Sequence, residues 1–105
     1  MTKRVWLSYD LGINGDFESI YTWLADHDAR ECGDSLATFM FEYKSDLPGE
    51  LRRQLEQSVT LRPRNRLYVI WEDERGMHGR FMAGKRKTPP WSGFGSKEIE
   101  GADEG

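Results

Sequence analysis

The run Arg-Val-Trp-Leu-Ser-Tyr-Asp at residues 4–10 constrains the fold more than any other part of the chain. Side chains of a strand alternate between its faces, so Val5 and Leu7 share one face while Trp6 lies on the other. Because both faces carry bulk, the run predicts a central strand whose second face is also covered, at least around Trp6. It ends on a carboxylate, Asp10, which either closes a turn or takes part in a catalytic site.

The rest of the chain alternates between helical and extended patterns. Apolar residues at i, i+3, i+4 and i+7 predict an amphipathic helix over 16–28, with Trp23 outside its apolar stripe and free to cover an edge or a partner. A leucine stripe predicts a second helix over 47–59. Segments rich in β-forming residues predict further strands at 29–32, 36–43, 67–72 and 77–85, with a hairpin turn at 72–76.

This order of elements predicts an α+β fold: a ferredoxin-like antiparallel sheet with two helices on one face and an extra C-terminal strand. A chain of 105 residues forms one domain with a modest core, and we place that domain at 1–87. Residues 88–105 form a proline- and aromatic-rich segment followed by an acidic end, 96–105, which is expected to be disordered.

Two helices cover only one face of such a sheet. The other face is expected to hold Trp6 and further apolar residues of the strongest strands, a patch larger than monomers usually leave in water. The sequence therefore predicts a homodimer, with its sheets face to face or its edges joined.

The N-terminus lacks the apolar core of a signal peptide, and no apolar run approaches the roughly 20 residues of a membrane span. We therefore expect a cytoplasmic protein that does not contact a membrane. Cys32 is the only cysteine, which excludes an internal disulfide and a metal site built on thiolates. Its expected role is that of a small buried hydrophobe.

The net charge of −3 conceals a division of charge along the chain. Residues 1–50 hold four basic and ten acidic side chains, whereas residues 51–97 hold eleven basic and four acidic ones. Such a division indicates a polyanionic partner or an acidic one, and a mixed solvated surface is the alternative. The candidate phosphate-binding and base-stacking residues are Arg62, Arg64, Arg66, Arg80, Lys85, Arg86, Lys87 and Trp91.

The order and spacing of elements over residues 3–73, with Tyr9-Asp10 at the end of the first strand, carry a family resemblance. In these features the chain resembles the small CRISPR-associated adaptation subunit family and its relative, virulence-associated protein D. The resemblance implies a ferredoxin-like homodimer in which the aspartate ending the first strand, here Asp10, lies near the dimer axis. Paired acids there can hold Mg²⁺ or Mn²⁺, which would activate water and offset phosphate charge during phosphodiester cleavage.

Two functions of different classes follow. The first is a non-enzymatic homodimer that binds DNA, RNA or a protein partner, and we prefer it because binding demands only a surface. The second is a metal-dependent endonuclease that uses Asp10 as catalytic residue and metal ligand. Asp10 also has a purely structural alternative, in which its side chain accepts backbone N–H bonds in the turn at 11–12. No cofactor follows from the residues themselves.

Overall fold

The computed structural model describes residues 1–96, and within this range the chain forms five strands and two helices. The seven elements follow the predicted order, while the acidic end predicted to be disordered lies outside the described residues beyond position 96. The elements are β1 Thr2–Asp10, α1 Phe17–Asp26, β2 Arg30–Gly33, β3 Leu36–Glu42, α2 Leu47–Ser58, β4 Arg66–Asp73 and β5 Gly76–Ala83.

All five strands belong to one antiparallel sheet with the order β2-β3-β1-β4-β5. The opening strand is central, as predicted, because Val5 lies opposite both Phe39 of β3 and Trp71 of β4. The last strand, β5, extends the sheet beyond β4. The fold is therefore α+β, and β2 and β5 form its two edges.

One face of the sheet is buried under both helices. Val5, Phe39 and Val69, on the three inner strands, are at most 1% exposed. They share a single apolar cluster with Ile20 of α1 and Leu51 of α2. Because side chains alternate along a strand, the even-numbered residues of β1, β3 and β4 point to the opposite face.

Both helices begin at an aspartate N-cap. Asp16 accepts a hydrogen bond from the Ser19 N–H at 3.2 Å, and its second oxygen accepts one from the Thr60 N–H at 2.8 Å. The Thr60 bond is the main reason why the pKa of Asp16 is lowered, and it ties the start of α1 to the end of α2. None of the helices in the described part of the chain is long and apolar enough to cross a membrane.

The start of α2 has a second anion besides its cap. Asp46 accepts a hydrogen bond from the Gly49 N–H, while Glu50 accepts bonds from the N–H groups of Lys44, Ser45 and Asp46 at 2.8–3.0 Å. These donors stabilise the carboxylate form, so the pKa of Glu50 falls to about 2, the Ser45 N–H contributing most. Glu50 thus fixes the bend between β3 and α2.

Three side chains differ from their predicted environment. Trp23 is buried in the core, with its ring stacked on His27 and edge-on to Phe39, whereas Tyr21, which the i, i+3, i+4 and i+7 spacing places on the apolar stripe, is 52% exposed. The buried face of α1 is therefore turned away from Tyr21 and toward Trp23. Cys32 is exposed, whereas a buried position was expected. The reason is that β2 is a four-residue edge strand with every residue exposed.

Candidate nucleic-acid interface

Most of the predicted basic residues come from two segments that the sheet brings together. At one end of the sheet Asp10 lies opposite Arg66, so β1 ends where β4 begins. There β5 also ends, because Ala83 pairs with Leu67. The loop before β4 and the segment after β5 therefore leave the sheet at the same end. We call this cluster the basic end; its members are Arg62, Arg64, Arg66, Lys85, Arg86 and Lys87.

Gly84 brings the two segments of the basic end into contact. Its φ of +75° lies in the left-handed region that favours glycine. A Cβ at this position would collide with the backbone carbonyl oxygen of Asn65 and with the side chain of Arg66. Only glycine lets the backbone pass this close, so Lys85 emerges directly beside the loop that precedes β4.

Asn65 holds the loop before β4 in place. Among the polar and charged residues of the described part of the chain, Asn65 is the one that is buried, with 4% of its surface exposed. Its Nδ2 donates to the carbonyl oxygen of Leu11 at 3.0 Å, and its Oδ1 accepts from the Arg62 N–H at 2.8 Å. These bonds tie the loop to the residue that follows β1. In this position of the loop, the Arg62 and Arg64 side chains are exposed to solvent. The sequence did not single out Asn65, because an asparagine among arginines looks like an ordinary solvated turn residue.

Asp10 pairs with a side chain of the basic end. Its Oδ2 accepts a hydrogen bond from Nη2 of Arg66 at 3.1 Å, with the two side chains 50% and 30% exposed. The ion pair is a third role for Asp10, which the sequence did not predict; the two predicted roles were a turn residue and a metal ligand. Residues 1–96 contain no cluster of three or more His, Cys, Asp or Glu side chains that could hold a metal ion. A cation shared between the Asp10 residues of two subunits stays a prediction.

Arg80 and Trp91 lie apart from the basic end. Arg80 is opposite Val69, whose side chain faces the helices, so Arg80 lies on the helix side of the edge strand β5. Trp91 is 71% exposed in a segment of local turns, and Phe94, three residues later, is 85% exposed. Both rings are accessible to a partner in this structure and neither is packed into the core.

The sheet face opposite the helices holds Trp6 and is not covered by any element of the described residues, whereas the sequence predicted a cover over Trp6; cover by a second subunit stays a prediction. Its rings belong to Trp6, Tyr68 and Phe81, all of which are partly exposed. The ring centroids of Tyr68 and Phe81 are 4.8 Å apart in an edge-to-face arrangement. We call this surface the open face; it comprises Thr2, Arg4, Trp6, Ser8, Asp10, Arg30, Leu36, Thr38, Met40, Glu42, Arg66, Tyr68, Ile70, Glu72, Met77, Gly79 and Phe81.

A separate groove of about 320 Å³ lies on the helix side of the molecule. Its lining includes the carboxylates of Glu18 and Asp26 and the side chain of Trp23. Two acids and no base in that lining repel a polyanion. The basic end and the open face are therefore the stronger candidates for a nucleic-acid site.

Comparisons with protein-family models, characterised proteins and solved structures gave no significant match. The resemblance to the small CRISPR-associated adaptation subunit is therefore still a prediction. The functional argument rests on the basic end, the open face and their relative position in the sheet.

Proposed function

We propose that this protein is a non-enzymatic nucleic-acid-binding module whose basic end contacts the phosphate backbone. The observation that carries the proposal is the convergence of residues 62–66 and 84–87 at one end of the sheet. Phosphates dominate nucleic-acid affinity, and clustered lysine and arginine side chains are their usual partners. The strand order β2-β3-β1-β4 supports a ferredoxin-like arrangement in which β5 is the additional strand.

The basic end is short of internal counter-charges. Within residues 1–96, Asp10 is the one carboxylate found within 4.0 Å of its cations, and it engages Arg66. The other five side chains are exposed and available to a ligand. If all five contact phosphates, the logarithm of affinity should fall with the logarithm of salt concentration with a slope of about −3.5 to −4.5.

The test is to measure the affinity of labelled DNA and RNA oligonucleotides, single-stranded and duplex, at several salt concentrations. We expect the double variant Arg62→Ala/Arg64→Ala to bind more weakly and to reduce the slope by about 1.4–1.8. The matched control is Lys44→Ala/Arg75→Ala, which removes the same charge from exposed positions at the opposite end of the sheet. Salt-independent binding, or equal losses in both double variants, would contradict the proposal.

A further inference from the structure

The open face adjoins the basic end directly. Arg66 and Tyr68 are two residues apart in β4, so both point to the open face, about 6.6 Å apart along the strand. Phe81 lies opposite Tyr68, two residues before the end of β5. A nucleic-acid backbone held by the basic end would therefore bring its next bases to the Tyr68 and Phe81 rings.

Gly79 determines how the Tyr68 ring lies. A Cβ on Gly79 would collide with the Tyr68 hydroxyl and come within 2.8 Å of its Cζ. The phenol ring therefore extends over Gly79 toward the edge of the sheet. The neighbouring row places Trp6 opposite Ile70, and Ile70 opposite Gly79. The aromatic side chains thus occupy two adjacent rows of one continuous surface.

Two arginines lie close to Trp6 on this surface. Arg30 lies opposite Thr38, and Arg4 donates a hydrogen bond from Nη1 to the Thr38 hydroxyl at 3.4 Å. Both arginines are exposed, and Thr38 is itself opposite Trp6. Arginine and aromatic side chains are also frequent in protein interfaces, so the feature that favours a polyanion is the continuity of the open face with the basic end. The glutamates of this face, Glu42 and Glu72, lie toward the opposite end of the sheet.

We propose that the ligand of this protein is single-stranded nucleic acid, whose bases stack on Trp6, Tyr68 and Phe81 of the open face. This inference rests on the proposed function, because the basic end supplies the phosphate contacts. Unpaired bases can stack on aromatic side chains, and such stacking tolerates any sequence because every base has a π-face. In a duplex the base faces are covered by neighbouring bases, so the open face would contribute little to its affinity.

A matched pair of tyrosine variants tests the inference. Tyr68→Leu removes a ring from the open face, whereas Tyr21→Leu removes a 52% exposed ring from α1, on the helix side. Relative to wild type, we expect Tyr68→Leu to weaken single-strand binding at least about 5-fold, with the salt slope and the duplex affinity unchanged. Tyr21→Leu should leave both affinities unchanged. Gly79→Ala should act like Tyr68→Leu, because its methyl group displaces the Tyr68 ring.

Tryptophan fluorescence gives a second readout that leaves the open face intact. In a Trp91→Phe variant the remaining tryptophans are Trp6, Trp23 and Trp71, and the last two are only 5% and 7% exposed. A saturating single-stranded oligonucleotide should quench the accessible Trp6 by stacking. A saturating duplex of the same sequence should leave the emission nearly unchanged.

Three outcomes would overturn the inference. Equal single-strand and duplex affinities, with Tyr68→Leu and Tyr21→Leu behaving alike, would contradict base stacking while leaving salt-dependent phosphate binding, and so the proposed function, in place. Absence of salt-dependent binding to any oligonucleotide would contradict both proposals. A Tyr68→Leu variant that converts a dimer into a monomer during sedimentation but binds oligonucleotides like wild type would assign the open face to a second copy.

Discussion

The Asp10 Oδ2 and Arg66 Nη2 atoms are 3.1 Å apart, so each side chain limits which ligands the other can bind. Replacing Asp10 with asparagine removes an anion from the basic end and frees the Arg66 guanidinium for a phosphate. We expect Asp10→Asn to tighten nucleic-acid binding and to steepen the salt slope by about 0.7–0.9. The control Asp26→Asn makes the same charge change on the helix side. Weaker binding by Asp10→Asn would contradict this role of the ion pair.

In the endonuclease alternative the Asp10 carboxylate is required for activity, whereas in the binding module its loss tightens binding. If Asp10 holds a catalytic cation, incubation of nucleic acid with Mg²⁺ or Mn²⁺ should give cleavage that Asp10→Ala abolishes. Cleavage that persists in the Asp10→Ala variant would contradict a catalytic role for this residue. Binding and cleavage measured on the same variants therefore separate the two functions.

Glu50 predicts a specific dependence of stability on pH. Its pKa is lowered from 4.5 to about 2 in the folded chain, so its contribution is fully present above pH 4.5 and is lost as pH falls toward 2. We expect Glu50→Gln to lower Tm by about 2–4 °C at neutral pH, because an amide oxygen accepts the three backbone N–H bonds less strongly than the carboxylate does. The difference from wild type should shrink between pH 4.5 and pH 2.

Thermal unfolding followed by circular dichroism at several pH values checks this prediction. Glu56→Gln, an exposed position of the same helix, controls for the loss of a glutamate from α2. A Tm difference between wild type and Glu50→Gln that stays constant down to pH 2 would show that the carboxylate charge is not what stabilises the start of α2.

At the scale of elements, the periodicity of the side chains was enough to predict all seven helices and strands and their order. Periodicity failed for single side chains, because the burial of Trp23 and the exposure of Cys32 depend on which neighbouring elements pack against each position. For the basic end, the sequence predicted which residues carry the charge but not that the fold brings them together. Its assembly depends on the β4–β5 register, which shifts between Leu67 and Tyr68, and on Asn65, whose partners are distant in sequence.

The junction between the two segments of the basic end can be tested through Gly84. Both Gly84 and Gly12 have positive φ, but a Cβ at Gly12 meets no atom within 4 Å, whereas one at Gly84 meets Asn65 and Arg66. Alanine at either position incurs backbone strain of about 1 kcal/mol. Gly84→Ala must also displace the backbone, so we expect it to lose about 1–3 kcal/mol more stability than Gly12→Ala in urea unfolding. Equal losses would contradict the close approach.

For the molecule as a whole, the division of charge matters more than the net value. A chain with a net charge of −3 can still bind a polyanion, because its basic residues are concentrated in the second half and the sheet gathers six of them at one end. The acids of the first half are spread over loops, strands and both helices, and two of them, Asp16 and Asp46, are the N-caps of the helices. Sequence alone could predict this division, although not the surface that the basic residues share with the rings.

The predicted homodimer needs a subunit contact outside the open face, because one surface cannot bind bases and a second subunit at the same time. Since the open face is assigned to bases, we expect the subunits to join through an edge strand, β2 or β5, whose outer backbone groups can pair with a second chain. Sedimentation at micromolar concentration should give twice the chain mass of 12.2 kDa, with or without a saturating single-stranded oligonucleotide. A species of 12.2 kDa would contradict the dimer, while dissociation by the oligonucleotide would place the subunit contact on the open face.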